Sequence, residues 1–185
     1  MGLDICLGTT NQRVLDESEQ ERTRSHSLSR TFCYFMCRKS ASVGEAELDQ
    51  IGRLMSIDIS PLYEMENYML EEDLQSWLEY EPEEDRAGII QRVQAARASL
   101  EGNIDLVSRT IDALIKALAT VDNLPQLLTD NGDDILNNRV YFSDFKSDKG
   151  QGYRESNFGQ DLRNFKSFLE YAQNHHSTTV FFVFE

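Results

Sequence analysis

Apolar residues recur every three or four positions through the centre of the chain: Val93, Ala96, Leu100, Ile104, Val107, Ile111, Leu114, Leu118 and Val121. From Ile104 the steps are 3, 4, 3, 4, 3, which is the spacing of a heptad seam. A single helix over 83–121 would run about 58 Å, longer than a domain of this size is wide. The pattern is therefore met either by one long helix or by an αα-hairpin broken at Glu101-Gly102-Asn103. Asp122-Asn123-Leu124-Pro125 stops it in both cases.

Further helices are predicted on either side. Leu28 to Arg38 gathers Phe32, Cys33, Tyr34, Phe35 and Met36 and reads as a buried helix. Ser42 and Glu45 have capping-box spacing ahead of the stripe Val43, Ala46, Leu48, Ile51, Leu54 and Met55. Ser60-Pro61 predicts an N-cap and an N1 proline, opening a helix through Tyr63, Met65, Tyr68, Met69, Leu74, Trp77 and Leu78 until Pro82. Asn157, with Gln160 three residues on, caps a helix whose buried face is Leu162, Phe165, Phe168, Leu169 and Ala172.

Strand signals sit at three places. Gly2 to Leu7 is short and apolar, Arg139 to Phe142 is a middle candidate, and Val180 to Phe184 is the most β-prone run of the chain. The last is apolar on both faces, so it is expected as a central strand. Residues 9–29 read as a polar loop, and Ser143 to Asn157 as another. The predicted fold is α+β: a mostly helical body, with the long central helix or αα-hairpin, and a small sheet from N-terminal, middle and C-terminal strands. All 185 residues are expected in one domain.

Composition narrows the function classes. The net charge of −14 argues against direct nucleic-acid binding, which needs a basic face, and permits basic partners. No apolar run reaches the ~20 residues of a membrane span, and Met1 to Leu7 lacks a basic lead, so the expectation is a cytoplasmic protein. Gly2 invites a myristoylation reading, but Cys6 stands where that pattern wants Ser or Thr. Three cysteines, Cys6, Cys33 and Cys37, fit reduced thiols; Cys33 and Cys37 lack the further ligands of a zinc site.

The acids are concentrated. Between Arg53 and Arg86 no Lys or Arg occurs, while eleven Asp and Glu do, interleaved with Tyr63, Tyr68, Trp77 and Tyr80. Such a density is self-repelling unless a cation or a basic partner offsets it. One reading is a solvated helix face with its aromatics turned inward. The other is a non-enzymatic docking surface over helices 61–85, of the inhibitor, immunity or anti-defence type or a nucleic-acid mimic, for a basic protein. Its partner-binding residues would be Glu64, Glu71, Glu72, Asp73, Trp77, Tyr80, Glu83, Glu84 and Asp85.

Other chemistry is thinner. Glu71-Glu72-Asp73 and Asp130-Asn131-Gly132-Asp133-Asp134 offer hard oxygens without calcium-loop spacing, so no metal is expected, nor a cofactor. No catalytic constellation emerges. The alternative to docking is an enzyme or a small anionic-ligand binder, with Lys149 and Arg154 in a glycine-containing loop and His175 and His176 beside the last strand. A third reading is homo-oligomerisation through the 104–121 seam.

Met1-Gly2-Leu3-Asp4, an early aromatic helix, Leu124-Pro125-Gln126-Leu127-Leu128 after the central helix, and the order Val140-Tyr141-Phe142, helix, Val180 to Phe184 resemble a group of bacterial and phage proteins. That group begins Met-Gly-Leu-Asp and has no established activity. The chain departs from it at Cys6, in place of an aromatic residue, and at Phe184-Glu185, in place of a Ser-Ser-Trp ending. The resemblance implies a bacterial or phage origin and a cytoplasmic accessory role, and no site residues.

Overall fold

The computed structural model describes residues 5–11, 14, 26–36, 44–129, 138–143, 145 and 157–184. Strand β1 (Ile5–Thr9) is followed by α1 (Arg30–Met36), α2 (Glu47–Met55) and α3 (Ser60–Glu64), then a 3-10 turn, Met65–Asn67. Next come α4 (Glu71–Tyr80), α5 (Glu83–Ser99), α6 (Ile104–Leu118) and α7 (Leu124–Leu127). The chain continues through α8 (Asn138–Tyr141), α9 (Phe158–Asn174) and β2 (Val180–Phe184). Among the described residues the sheet has two strands, β1 and β2, antiparallel with Leu7 opposite Phe182 and Thr9 opposite Val180.

The main core forms where α6 lies on α9, with β1, α2 and α3 closing around them. Its largest side chains are aromatic: Phe32, Phe35, Phe142, Phe158, Phe165 and Phe168 are all fully buried. The seam expected to serve oligomerisation is covered within the chain. Ile104, Val107, Ile111, Leu114 and Leu118 are buried in this core, so a second copy would have to displace α9 and α3 to reach them.

The middle strand expected at Arg139 to Phe142 is replaced by helix α8, and two observations explain the difference. Val140 is exposed while both Tyr141 and Phe142 are buried, which an alternating strand does not allow. The outer edge of β2 is also occupied. The Asn103 side-chain amide donates to the Val180 carbonyl at 2.8 Å and accepts the Val180 N–H at 2.8 Å, standing where a third strand would pair. Among the described residues β2 therefore has a strand on one side only, not the central place expected of it. Its two apolar faces are covered by rings instead, with Phe182 against Phe165 and Phe181 under Tyr68.

Two helix boundaries move, and a third falls where one of the sequence alternatives put it. Ser42, the expected capping-box residue, lies outside the described residues; Gly44 has φ +82, which no helix accepts, α2 begins at Glu47 with Ala46 at its N-cap, and Glu45 pairs with Arg53 at 2.8 Å. The helix expected from Ser60 through Leu78 stops at Glu64, passes a 3-10 turn and becomes extended at Tyr68, whose φ and ψ are −87 and 111. There the Tyr68 ring stacks on Phe181, with centroids 3.7 Å apart and planes 5° from parallel. The 83–121 pattern breaks at residues 100–103, where the broken alternative placed it, with Gly102 at φ +75. Its halves do not form the expected hairpin: α5 packs back on α4, whereas α6 packs on α9.

Candidate functional site

The α4–α5 hairpin is an arm with a core of its own. Leu74, Leu78, Ile89 and Val93 form a cluster distinct from the main core, with Met69 and Ile90 packed against it. α4 runs outward to Tyr80, Glu81 and Pro82 make an extended tip, and α5 returns. Arg97, near the end of α5, closes the base: its Nε donates to the Met69 carbonyl at 2.8 Å and its Nη1 meets Glu71 at 2.9 Å. The same guanidinium lies 5.7 Å from the centre of the Tyr68 ring.

Local physics explains where much of the acid block sits. Glu71, Glu72 and Asp73 occupy the first turn of α4, and Glu83, Glu84 and Asp85 the first turn of α5. Their N-caps are Leu70 and Pro82, which offer no side-chain acceptor to the orphan N–H groups. Carboxylates in those turns interact favourably with the positive helix ends, which offsets part of their mutual repulsion. Hydrogen bonds from Gln75 and Arg97 hold the Glu71 carboxyl below its ordinary range.

The nine acidic and aromatic residues singled out in the sequence are not brought to one place. Glu64 ends α3 on the body. Glu71, Glu72 and Asp73 stand at the base of the arm, and Trp77, Tyr80, Glu83, Glu84 and Asp85 lie at or near its tip, about 15 Å away along ten helical residues. The aromatics divide in the same way. Tyr63 is buried and Tyr68 is stacked, as an inward-facing set would be, but Tyr80 is 87% exposed and Trp77 38%. The Trp77 indole N–H donates to Glu81 Oε1 at 2.8 Å, and Arg86 Nε to the Glu81 carbonyl at 3.0 Å. Both bonds keep the turn compact and leave the Tyr80 ring in solvent.

Of the four residues considered for a small anionic ligand, Lys149 and Arg154 lie outside the described residues. His175 caps α9: its backbone N–H reaches the Tyr171 and Ala172 carbonyls, and its ring packs 4.3 Å from Tyr171. His176 is exposed in the left-handed region at φ 62, so the adjacent rings do not converge. A cavity of about 220 Å³ lies elsewhere, lined among others by Asn123, Leu124, Gln126, Phe142 and Phe145, and neither histidine borders it. Among the described residues, no group of three His, Cys, Asp or Glu side chains is placed to hold a metal ion.

One polar cluster was missed by the sequence reading. Asp161 is fully buried, and its Oδ2 accepts from Ser29 Oγ at 2.6 Å and from the Tyr141 hydroxyl at 2.7 Å, while Oδ1 accepts the Ser29 N–H at 2.7 Å. Ser29 Oγ in turn accepts the Phe32 N–H, capping α1. Burial, then the Asp161 charge, push the Tyr141 hydroxyl well above its ordinary value. The signal was available: Asp161 falls on the apolar stripe between Phe158 and Phe165, where an acid must be buried and bonded. This cluster pins α1, α8 and α9 together, and its seclusion makes it an anchor of the fold.

Against family models, curated proteins and solved structures the chain finds no match. No described helix is long and apolar enough to cross a membrane.

Proposed function

We propose that the tip of the arm is a docking surface for a basic protein segment, so that the chain acts by occupying that partner, as an inhibitor or immunity-type protein does. The observation that supports this most directly is Tyr80, 87% exposed at the end of α4. Helix-end electrostatics accounts for Glu83, Glu84 and Asp85 but gives no reason to place Glu79 in the last turn of α4 or to hold an aromatic ring in water. Tyr80, the partly exposed Trp77 and the acids Glu79, Glu83, Glu84 and Asp85 together suit Lys or Arg side chains, which pair with carboxylates and lie over aromatic faces. Aromatic residues are also what interfaces enrich relative to other surface.

Trp77 is the sole tryptophan, so its fluorescence reports on this surface directly. Titrating the protein with an arginine-rich peptide should give a saturable change that weakens with salt. Glu83→Lys with Glu84→Lys should weaken apparent affinity at least tenfold, and Tyr80→Ala about fivefold to tenfold. An unchanged isotherm in the charge-reversed variant, or a wild-type signal no different from that with a neutral peptide, would refute the proposal.

A further inference from the structure

We infer that the arm is a separately opening unit: residues 71–99 unfold and refold on a body that stays intact, and Gly88 keeps that equilibrium close to opening.

Three observations converge on this. The arm buries four aliphatic side chains in its own cluster, and nearly every other residue of α4 and α5 is exposed or partly exposed. α4 has ten residues, too few for a helix to persist alone in water. The arm must therefore lean on the body, and the described contacts that tie it there are narrow. Tyr68 stacks on Phe181 with the Arg97 guanidinium 5.7 Å from its ring centre, and Leu100 is buried where the chain re-enters the body. Gly8 lets that stack sit flat, since a Cβ there would lie 2.6 Å from the Phe181 ring.

Gly88 supplies the third observation. It lies in α5, five residues past its start, where a Cβ would meet nothing within 4 Å. Glycine inside a helix weakens it relative to alanine, and here no close approach or positive φ requires it. The side chain that would firm the arm is left out at a position with room for one. Regions with few buried contacts and many exposed backbone bonds open below the global unfolding free energy. A partner that reads only the folded tip then binds with its intrinsic affinity multiplied by the closed fraction. The opening is a property of the free protein, and a partner on the folded tip would suppress it.

Hydrogen exchange on the full-length protein under native conditions, followed by mass spectrometry, tests this. Peptides within 71–99 should exchange through a common opening, faster than peptides from α6 and α9. Gly88→Ala should slow the arm peptides about fivefold, Leu78→Ala should speed them more than tenfold, and Leu114→Ala, in the main core, should speed α6 and α9 peptides while leaving the arm peptides unchanged. The inference is overturned if wild-type arm peptides exchange at the rate of α6 and α9. It is equally overturned if Leu114→Ala speeds arm and body peptides by the same factor, because arm and body would then be one cooperative unit.

Discussion

The body and the arm solve opposite problems with the same chain. In the body, α6 and α9 bury continuous apolar faces against a cluster of phenylalanines, and a carboxylate at 0% exposure is tolerated because Ser29 and Tyr141 bond it. In the arm, two helices share four buried aliphatics, while the charged and aromatic side chains face water. Burial scales with how many elements surround a helix. α6 touches α9, α2 and α3, whereas α5 has α4 as its main neighbour. The comparison shows why stability and surface chemistry separate in this molecule: the body holds the fold, and the arm is free to carry a composition that would be costly inside.

The comparison breaks most visibly at Asp161. Asp161→Ala strands the Ser29 and Tyr141 hydroxyls and the Ser29 N–H in the core, and should cost roughly 4 kcal/mol of unfolding free energy in urea titrations. A loss below about 1 kcal/mol would mean that the cluster does not anchor α1, α8 and α9. A matched pair of leucines sharpens the contrast. Leu114→Ala, in the main core, should lower global stability by about 3 kcal/mol. Leu78→Ala, in the arm, should leave the main circular-dichroism transition nearly in place while shifting the Trp77 fluorescence transition to lower denaturant. Equal shifts in both signals for Leu78→Ala would erase the distinction between the two regions.

Legibility followed the same division. The 3.6-residue periodicity announced α6 and α9 because their buried faces are wide and continuous, and the Asn157 cap was right: its Oδ1 accepts the Gln160 N–H at 2.7 Å. The terminal strands were legible too, though β1 runs to Thr9 rather than ending at Leu7. Failures came where a tertiary contact overrode a local pattern. Val140-Tyr141-Phe142 has β-prone residues, but the Tyr141 hydroxyl is drawn to Asp161, and the chain there turns as a helix. A helix opens at Ser60-Pro61, but with Ile59 rather than Ser60 at its N-cap, and the Tyr68 stack on Phe181 ends the run that sequence carried through to Leu78. The acid block was visible at once. Its division between arm base and tip was not, because that depends on where the chain breaks at residues 68–70 and 81–82. Nor did the sequence tell Tyr80 from Tyr63: both are tyrosines among acids, and only packing buries one and exposes the other.

Alkaline titration is a smaller effect that still discriminates between the regions, since the two tyrosines it acts through both belong to the body. Tyr63 is pushed up by burial first and then by the Asp49, Glu66 and Glu47 carboxylates, and Tyr141 by burial and then Asp161. In each case the folded state holds its phenolic proton more tightly than the unfolded chain, whose value is near 10. The stabilisation is therefore fully present below about pH 10 and is lost as pH climbs from there toward the raised folded values. At pH 11 each tyrosine should cost up to about 1.4 kcal/mol, visible as a fall in thermal midpoint between pH 9 and 11. Tyr63→Phe removes one of the two phenols and should make that fall about half as steep. A midpoint independent of pH over this range, or a fall unchanged in Tyr63→Phe, would show that ionisation of the buried phenols is not what weakens the body at high pH.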